Sequence, residues 1–486
     1  MTRRHWPGRA TVATAALAVV LALPASDAAT RHTQAVTGGP PLPVQAPALY
    51  GAAPPISARD RVYTADQTSN TITVINPATN QVLGTIPLGD ERVGRLLSPL
   101  YFGQTNVHGL GFSRDGRLLD VIDVTTNAAV LIDTATNRVV RTFYVGRAPH
   151  EGFISPDGRQ LWVAVRGQDY VAVLDIASGR EVDRIQTEPG PSKVVFSPDG
   201  HLAYVNHERA NAMDVIDVAS RHIVARITGL AGQFSSDEAI SPDGKEVWAP
   251  DKMSGKTTVV DALHFRVLAT LDTGPRTNHP NFVSTRTGDY AYVTMGGANQ
   301  TLVYRRDGAH PVLVTRIQDT GAEPHGIWPS PDNTRVYVVL QKAAAVDVID
   351  TATMRVIKTL HVGEGSQALV YVADAVPQGD GMQGLTRQGL DKRTMTLTAP
   401  VRGTDAMAEV SVNGADGLDQ IEVDAAKLPP GALFTVYGVL ATDTRIKVPL
   451  MDITATPEGK VEEALAFTRF FGVYSGVIIA PKGQPV

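Results

Sequence analysis

One acidic residue recurs at a nearly constant interval along the middle of this chain. It closes an apolar run at Asp133, Asp175, Asp217, Asp261 and Asp350, with Arg305 in the matching place between the last two. The successive steps are 42, 42, 44, 44 and 45 residues. Each unit holds four short apolar runs ended by Gly, Asp or Ser, which is typical of four antiparallel strands. A period of this length with four strands per unit predicts a β-propeller, in which each blade packs against its two neighbours.

The turns inside the unit follow a shared pattern. The tetrapeptide SPDG begins at Ser155, Ser197 and Ser241, and the variants SRDG and SPDN begin at Ser113 and Ser330. Proline fixes φ early in such a turn, and glycine takes the positive φ that ends it. Strands such as LWVAV and AYVNH follow, and then a VxVID run. This combination resembles the bacterial YVTN family of β-propeller repeats over about residues 61–373, which implies a propeller but no particular activity.

The ends of the repeat region complement each other. Residues 61–89 supply only three strands and lack the innermost one, whereas the run SQALVYV at 366–372 reads as an innermost strand with nothing after it. Joining them makes one composite blade, and the six further units bring the total to seven. Such closure removes both free sheet edges.

The remaining segments differ from the repeats in composition. Residues 1–29 read as a secretory signal peptide, 30–60 as an arm rich in Pro and Gly, and 374–393 as a linker. Residues 394–486 show alternating apolar runs without the SPDG turn, which predicts a small β-sandwich. The predicted fold is therefore all-β: a seven-bladed propeller with a composite closing blade, followed by a small C-terminal β-sandwich domain.

The amino terminus predicts export to the periplasm or secretion. Three arginines precede an apolar run too short for a membrane span, and Ser26, Asp27 and Ala28 resemble a cleavage site. The sequence leaves general secretion and twin-arginine export both open. Loss of the leader moves the net charge from −5 to −7, so nucleic-acid binding is not expected. No membrane span is expected in the mature chain either. The chain has no cysteine, which excludes disulfides, thiolate-bound copper and covalently attached haem.

A column of residues lies five places before the turn serines. It holds histidine four times and serine three times, in the order His108, His150, Ser192, Ser236, His279, His325 and Ser366. Because each position begins an innermost strand, all seven should lie at one mouth of the central channel. Neutral imidazoles that share a space are ligands for copper, zinc or iron. The alternative is structural, with each imidazole bound to the backbone of a neighbouring blade.

A second set of side chains is predicted on the loops at the same face. Arg166, His207, Lys252 and Lys342 are candidate ligand-binding residues, and their charges suit a small anionic molecule. A protein partner on this face is the other possibility. Solvated loop charges without a ligand are the simpler explanation.

Three functions follow from the pattern and the resemblance. The main interpretation is an exported protein that binds a ligand or partner through the channel mouth. YVTN-like propellers are similar to those of nitrous oxide and nitrite reductases, which implies a metal-dependent oxidoreductase as the alternative. A more distant resemblance to lactonases implies a hydrolase, which would need a metal site lined by carboxylates. Glu151, Asp237 and Glu323 are expected near the mouth but do not form a clear set of ligands. Whether the chain is an enzyme at all is left open at this point.

Overall fold

The protein is described by a computed structural model for residues 48–88, 107–235, 237–387, 389–390, 394–414 and 419–484. Within these residues, the repeat region forms seven four-stranded antiparallel sheets, and the chain after it forms two further sheets. The predicted all-β propeller is thus confirmed. The predicted signal peptide, 1–29, lies outside the described residues, as does the predicted arm up to residue 47.

Blade 1 begins with three strands and blades 2 to 7 hold four consecutive strands each. Those of blade 1 are β1 (Arg61–Asp66), β2 (Thr71–Asn76) and β3 (Gln81–Pro87). Those of blades 2, 3 and 4 are β4 (Val107–Phe112), β5 (Leu118–Asp123), β6 (Ala128–Asp133), β7 (Arg138–Tyr144), β8 (Pro149–Ile154), β9 (Gln160–Val165), β10 (Tyr170–Asp175), β11 (Arg180–Gln186), β12 (Pro191–Phe196), β13 (Leu202–His207), β14 (Ala212–Asp217) and β15 (His222–Thr228).

The remaining three blades continue the same order. Their strands are β16 (Ala239–Ile240), β17 (Glu246–Asp251), β18 (Lys256–Asp261), β19 (Arg266–Asp272), β20 (Thr277–Thr285), β21 (Gly288–Met295), β22 (Gln300–Arg305), β23 (Val312–Gln318), β24 (Pro324–Pro329), β25 (Arg335–Leu340), β26 (Ala345–Asp350) and β27 (Arg355–His361). Short 3₁₀ helices, Gly296–Ala298 and Gln341–Ala343, connect the second and third strands of blades 6 and 7.

The ring closes as the sequence predicts. Strand β28 (Ser366–Val372) pairs antiparallel with β1, so that Val62 lies opposite Tyr371, and it completes blade 1 in the order β28-β1-β2-β3. All seven residues of β28 are buried. The predicted composite blade is confirmed, and the pairing ties the two ends of the repeat region together.

Burial falls from the inside of each blade to the outside. The innermost strand β8 is buried at every position, whereas the outermost strand β11 is exposed or partly buried at every position except Ile185. This is the pattern expected when blades pack face to face and only the rim of the ring meets water. The SPDG turn behaves as predicted, since the hydroxyl of Ser155 donates to Asp157 over 2.6 Å and Gly158 has a φ of 73°.

The C-terminal residues form a two-layer sandwich. One sheet has the order β29-β30-β31-β34 and the other β33-β32-β35. The strands are β29 (Thr394–Pro400), β30 (Met407–Asn413), β31 (Asp419–Ala425), β32 (Leu433–Leu440), β33 (Lys447–Thr454), β34 (Val461–Thr468) and β35 (Tyr474–Pro481). Inward-facing residues such as Val410, Val423 and Phe434 form its apolar core. This agrees with the predicted sandwich domain.

The segment between the two domains lies against the propeller. The side-chain amide of Asn137 donates to the carbonyl oxygens of Gly381 and Gln383, both over 2.8 Å. Thr386 forms an isolated β-bridge with Thr85. The segment predicted as a linker, 374–393, is thus hydrogen-bonded to blades 1 and 2. Among the described residues, no helix is long and apolar enough to cross a membrane.

Candidate functional site

The four column histidines meet at one end of the channel, named here the histidine mouth. His108 begins β4, His150 lies on β8, His279 on β20 and His325 on β24, and all four are buried. They form two pairs, with ring centroids 4.2 Å apart for His108 and His150 and 4.5 Å apart for His279 and His325. Ser192 and Ser366 also lie at the start of inner strands, while Ser236 is outside the described residues.

Two of these imidazoles are anchored to the neighbouring blade. Nδ1 of His150 lies 3.1 Å from the carbonyl oxygen of Ser192, and Nδ1 of His325 lies 2.9 Å from that of Gln367. Nδ1 of His150 also lies 2.9 Å from the hydroxyl of Ser192, which can accept as well as donate. A carbonyl oxygen only accepts, so the two carbonyl contacts assign the proton to Nδ1 and the lone pair to Nε2. The structural role considered for the histidines therefore applies to Nδ1 of these two rings. The second nitrogen of His150, Nε2, lies 3.6 Å from Oε1 of Glu208.

A polar cluster of four residues lies beside the histidine pairs. Lys193 places Nζ 2.8 Å from Oδ2 of Asp237 and 3.3 Å from Oε2 of Glu151. Nδ1 of His279 lies 2.8 Å from the same Oδ2 of Asp237. The members come from blades 3, 4, 5 and 6, and each side chain is less than a tenth exposed. Charges buried this deeply are stable only because they are paired.

β-Bulges explain how these side chains reach the same space. The register of the first two strands shifts between Pro149 and Gly152 in blade 3, and between Pro191 and Val194 in blade 4. A bulge interrupts the alternation of side chains between the two faces of a strand. Consecutive residues such as His150 and Glu151 can therefore both contribute to the mouth.

Burial and charge set the protonation of the cluster. Burial raises the pKa of Glu151 to about 7, although Lys193 opposes the shift. Burial also raises the pKa of Asp237, but the contacts with His279 and Lys193 outweigh burial and leave that pKa below its ordinary value. For Lys193 burial lowers the pKa, and Asp237 and Glu151 together raise it above its ordinary value. Asp237 and Lys193 are thus both charged at neutral pH.

Three histidines of the mouth, His108, His150 and His325, are neutral at neutral pH. Burial lowers the pKa of His108, His150 and His325 well below the ordinary value. The nearby positive charges of Arg166 for the first two, and of Lys252 for His325, lower the pKa further. Neutral imidazoles can accept protons or bind metal ions, whereas imidazolium can do neither.

Apolar side chains lie beneath the polar cluster. Trp328 contacts Phe112 and Phe153, with ring centroids 5.6 Å and 6.2 Å apart respectively. Between this aromatic floor and the polar cluster remains about 10 Å³ of free space, lined by residues that include Glu151 and His279. A cavity of this size holds about one water molecule. Among the described residues, the space beside the polar cluster is therefore a small recess.

The predicted loop cations lie around the mouth, and each faces an acidic residue. Arg166 contacts Glu208 over 3.1 Å, and Lys252 contacts Glu463 of the sandwich over 3.0 Å. His207 is fully buried, with Nδ1 3.0 Å from the carbonyl oxygen of Ala212. Their predicted role in binding a ligand stays a prediction. Any ligand that binds to these cations also meets the carboxylates that contact them.

Lys342 belongs to a larger set of charges shared by the propeller and the sandwich, named here the interdomain cluster. Lys342 lies 3.1 Å from Glu422 and also pairs with Asp424, and Arg276 lies 3.2 Å from Asp424. The cluster consists of Lys252, Arg276, Glu323, Lys342, Glu409, Glu422, Asp424 and Glu463. Acidic side chains of the sandwich thus neutralise cations on blades 5, 6 and 7 at the histidine mouth.

The described residues offer two possible groups of metal ligands. One is His108, His150 and Glu151, and the other is Glu151, Asp237 and His279, with the donor atoms of each group within 4.8 Å of one another. The predicted four-histidine set does not appear as one group among the described residues, because its members are divided between the two pairs. Metal binding by those four histidines stays a prediction.

Sequence reasoning missed Lys193 and the pairing of Asp237 with His279. The signal is present one place after the histidine column, where Glu151, Lys193 and Asp237 occupy successive blades. Strict alternation assigns these positions to the opposite face of the strand. Charged residues are unexpected at positions that pack between blades. Their occurrence at the same position in three successive blades could have indicated that these side chains face the channel.

These features define a class: a closed seven-bladed propeller with a buried, charged recess at one channel mouth. The chain belongs to the family described as lactonase, 7-bladed beta-propeller, whose model matches residues 62–362. A search of curated proteins found no match.

Solved structures share this fold. The periplasmic gluconolactonase of Pseudomonas aeruginosa is 20% identical, with a TM-score of 0.51 over 65% of this chain and 99% of that one. Hydrazine synthase of Kuenenia stuttgartiensis is 21% identical, with a TM-score of 0.50 over 55% of this chain and 90% of that one. A functionally unknown protein of Desulfotomaculum acetoxidans is 13% identical, with a TM-score of 0.54 over 64% and 98%. At these identities the likeness concerns the fold alone.

Proposed function

We propose that this protein hydrolyses a small polar lactone at the histidine mouth. The observation that carries the proposal is the 2.8 Å contact between Asp237 and Nδ1 of His279, next to the ammonium group of Lys193. Membership of the lactonase, 7-bladed beta-propeller family supports it. A solved neighbour that bears the name gluconolactonase is consistent with it.

His279 is the proposed general base. A carboxylate that accepts from Nδ1–H fixes the ring and its tautomer, and it stabilises the imidazolium that forms when Nε2 takes a proton. Nε2 has no hydrogen-bond partner among the described residues. The recess beside His279 has room for about one water molecule. That water is the proposed nucleophile.

The proposed reaction needs no group from outside the chain. Water adds to the lactone carbonyl carbon while its proton passes to Nε2 of His279. The tetrahedral oxyanion then collapses, the ring C–O bond breaks, and the leaving alkoxide takes the proton back from His279. The products are a hydroxyl group and a carboxylic acid on one open chain, and the acid then loses its proton to the solvent and becomes a carboxylate.

Lys193 is the proposed electrostatic partner. Its ammonium group is held by Asp237 and Glu151 in a water-poor recess, where a fixed positive charge acts more strongly than in bulk water. Negative charge develops on the carbonyl oxygen during attack. A nearby cation stabilises that charge, and it also favours binding of the carboxylate product.

The mouth favours a hydroxylated substrate over an apolar one. The recess itself is too small for a sugar-sized lactone, so the ring must bind above it, among Arg166, Glu208 and the loop residues of the mouth. Charged and hydrogen-bonding groups at such a surface recognise hydroxyl groups. Aldonolactones with five- or six-membered rings meet this requirement.

The experiment is a turnover assay over a panel of lactones. Acid release should be measured in weakly buffered solution with γ- and δ-aldonolactones, an unsubstituted alkyl lactone and a no-enzyme control. We expect turnover of at least one aldonolactone and little turnover of the alkyl lactone. If calorimetry detects binding of an aldonolactone without acid release, the hydrolase proposal is wrong, and the interpretation as a ligand-binding protein is favoured.

We also propose that the protein acts outside the cytoplasm. The charged, apolar and small-residue order of residues 1–29 supports this. Fractionation of cells that express the full chain should recover a shortened protein in the periplasm or medium. Recovery of the uncut chain in the cytoplasm would contradict it.

A further inference from the structure

We propose that His108, His150 and Glu151 form a binding site for a divalent transition-metal ion of the zinc class. Their donor atoms lie within 4.8 Å of one another, and all three residues are buried. Two imidazoles and one carboxylate are a common ligand set for such ions. A tetrahedral ion with bonds of about 2 Å keeps its donors roughly 3.3 Å apart, so a small closing movement completes the site.

Orphaned polar atoms support this assignment. In the part of the chain that the structure describes, Nδ1 of His108 and Oε1 of Glu151 are buried and have no hydrogen-bond partner. Buried polar atoms without partners are unfavourable and uncommon in native proteins, and both of these belong to the same group of possible ligands. A cation bound between them satisfies both.

The surroundings of the ligands match those of metal sites. Nδ1 of His150 is held by the carbonyl oxygen of Ser192, so Nε2 is the nitrogen that would bind the metal. Nε2 lies 3.6 Å from Oε1 of Glu208, a carboxylate that also contacts Arg166. Lys193 holds Oε2 of Glu151 over 3.3 Å and leaves Oε1 free. The carboxylate is thus oriented by one oxygen and offers the other.

Gly109 makes the approach of the two strands possible. A Cβ atom at this position would lie 2.6 Å from the carbonyl oxygen of His150 and 2.9 Å from Cα of Glu151. Any larger residue would push β4 away from β8 and separate His108 from the other two ligands. Gly109 directly follows His108, so a change in the packing of β4 against β8 would also move this ligand.

The second group of possible ligands fits a metal ion less well. In the group of Glu151, Asp237 and His279, Oδ2 of Asp237 already contacts both Lys193 and His279. A divalent ion there would have to displace the ammonium group of Lys193. The site on the side of His108 requires no such displacement.

The experiment uses the full chain after treatment with a chelator. Titration with Co²⁺ should produce visible absorption typical of nitrogen and oxygen ligation, and Zn²⁺ should remove that absorption by competition. Either ion should raise the melting temperature as the site fills. Absence of Co²⁺ and Zn²⁺ binding by equilibrium dialysis at micromolar concentration overturns the proposal.

Variants separate this site from the other histidine pair. His108→Ala should weaken Co²⁺ binding at least a hundredfold, and Glu151→Gln, which keeps the size of the side chain, should also weaken it and shift the cobalt spectrum. His325→Ala is the matched control and should bind Co²⁺ as the parent does. If His325→Ala weakens binding as much as His108→Ala, a shared four-histidine site is present and the three-residue assignment is wrong.

This inference is independent of lactone hydrolysis. Its readouts are bound metal, a cobalt spectrum and a thermal shift, none of which needs turnover. A protein that binds Co²⁺ at His108 but hydrolyses no lactone would support the metal site and reject the hydrolase. The reverse outcome would retain the hydrolase and reject the metal site.

Discussion

The hydroxyl of Ser366 donates a hydrogen bond to Oδ1 of Asp66 over 2.6 Å and thereby joins the last strand of the propeller to the first. Asp66 also accepts from the hydroxyls of Thr64, Thr71 and Thr73. All of these side chains are buried. The two ends of the ring are therefore joined by a polar contact in addition to the backbone pairing of β1 and β28.

Replacing Ser366 with Ala should loosen the closure of the ring. The substitution removes one hydrogen bond to a buried carboxylate, which typically lowers the free energy of unfolding by about 1.5–3 kcal/mol. Urea denaturation followed by fluorescence measures the effect. Ser254→Ala, at an exposed turn position of blade 5, is the control and should change stability by less than about 0.5 kcal/mol. Equal effects of the two substitutions would contradict a role for this contact in closure.

The propeller could be predicted from the sequence because the same residue pattern recurs in successive blades. Asp175 and its equivalents define the period, SPDG defines the first turn, and the unpaired run 366–372 defines the closure. Each of these signals is local or periodic, so propensity and spacing suffice. The position of His108, His150, His279 and His325 at one mouth follows from the same periodicity.

The details of the site could not be predicted in the same way. Lys193 lies where a bulge breaks the alternation of β12, and Asp237 lies just before the short strand β16, where strand alternation does not apply. The contact between Lys342 and Asp424 joins two folds with unrelated patterns, so no periodicity relates the two residues. Such long-range pairing depends on the final packing of domains.

Glu422 should make the stability of the protein depend on pH. Burial raises its pKa to about 7, because the repulsion of Asp424 and Glu463 adds to the desolvation. A carboxyl group whose pKa is higher in the folded than in the unfolded state takes up a proton on folding, and its charged form weakens the folded state. Its contribution to stability should therefore fall as pH rises from about 4.5 towards about 7.

The variant Glu422→Gln tests this dependence because glutamine cannot be deprotonated. From pH 5 to pH 8, the free energy of unfolding of the variant should increase relative to that of the parent by about 1–3 kcal/mol, so the variant becomes the more stable of the two. Denaturation curves at both pH values give the difference. The control is Glu458→Gln, at an exposed turn of the sandwich. It should change the free energy of unfolding by the same small amount at both pH values. If the difference in free energy of unfolding between Glu422→Gln and the parent is the same at pH 5 and pH 8, the proposed titration is wrong.

Gly109→Ala should destabilise the contact between blades 2 and 3. The added Cβ would meet backbone atoms of His150 and Glu151 at less than 3.0 Å, and overpacking of this kind typically costs about 1–3 kcal/mol. Thermal melts and Co²⁺ titration of the same variant report stability and ligand geometry separately. Gly476→Ala adds a Cβ with no atom within 4 Å and serves as the control. A Gly109→Ala variant as stable as the Gly476→Ala variant would show that the strands can separate without cost.

The central claim is that His279, oriented by Asp237, activates water for lactone hydrolysis. The most direct measurement is kcat/KM for the best aldonolactone with the parent, His279→Gln and the exposed control His222→Gln. Loss of a general base typically lowers the rate by about 10²–10⁴-fold, so His279→Gln should fall by at least a hundredfold with its melting temperature retained. His222→Gln should match the parent within about twofold. Full activity of a folded His279→Gln variant would contradict the account.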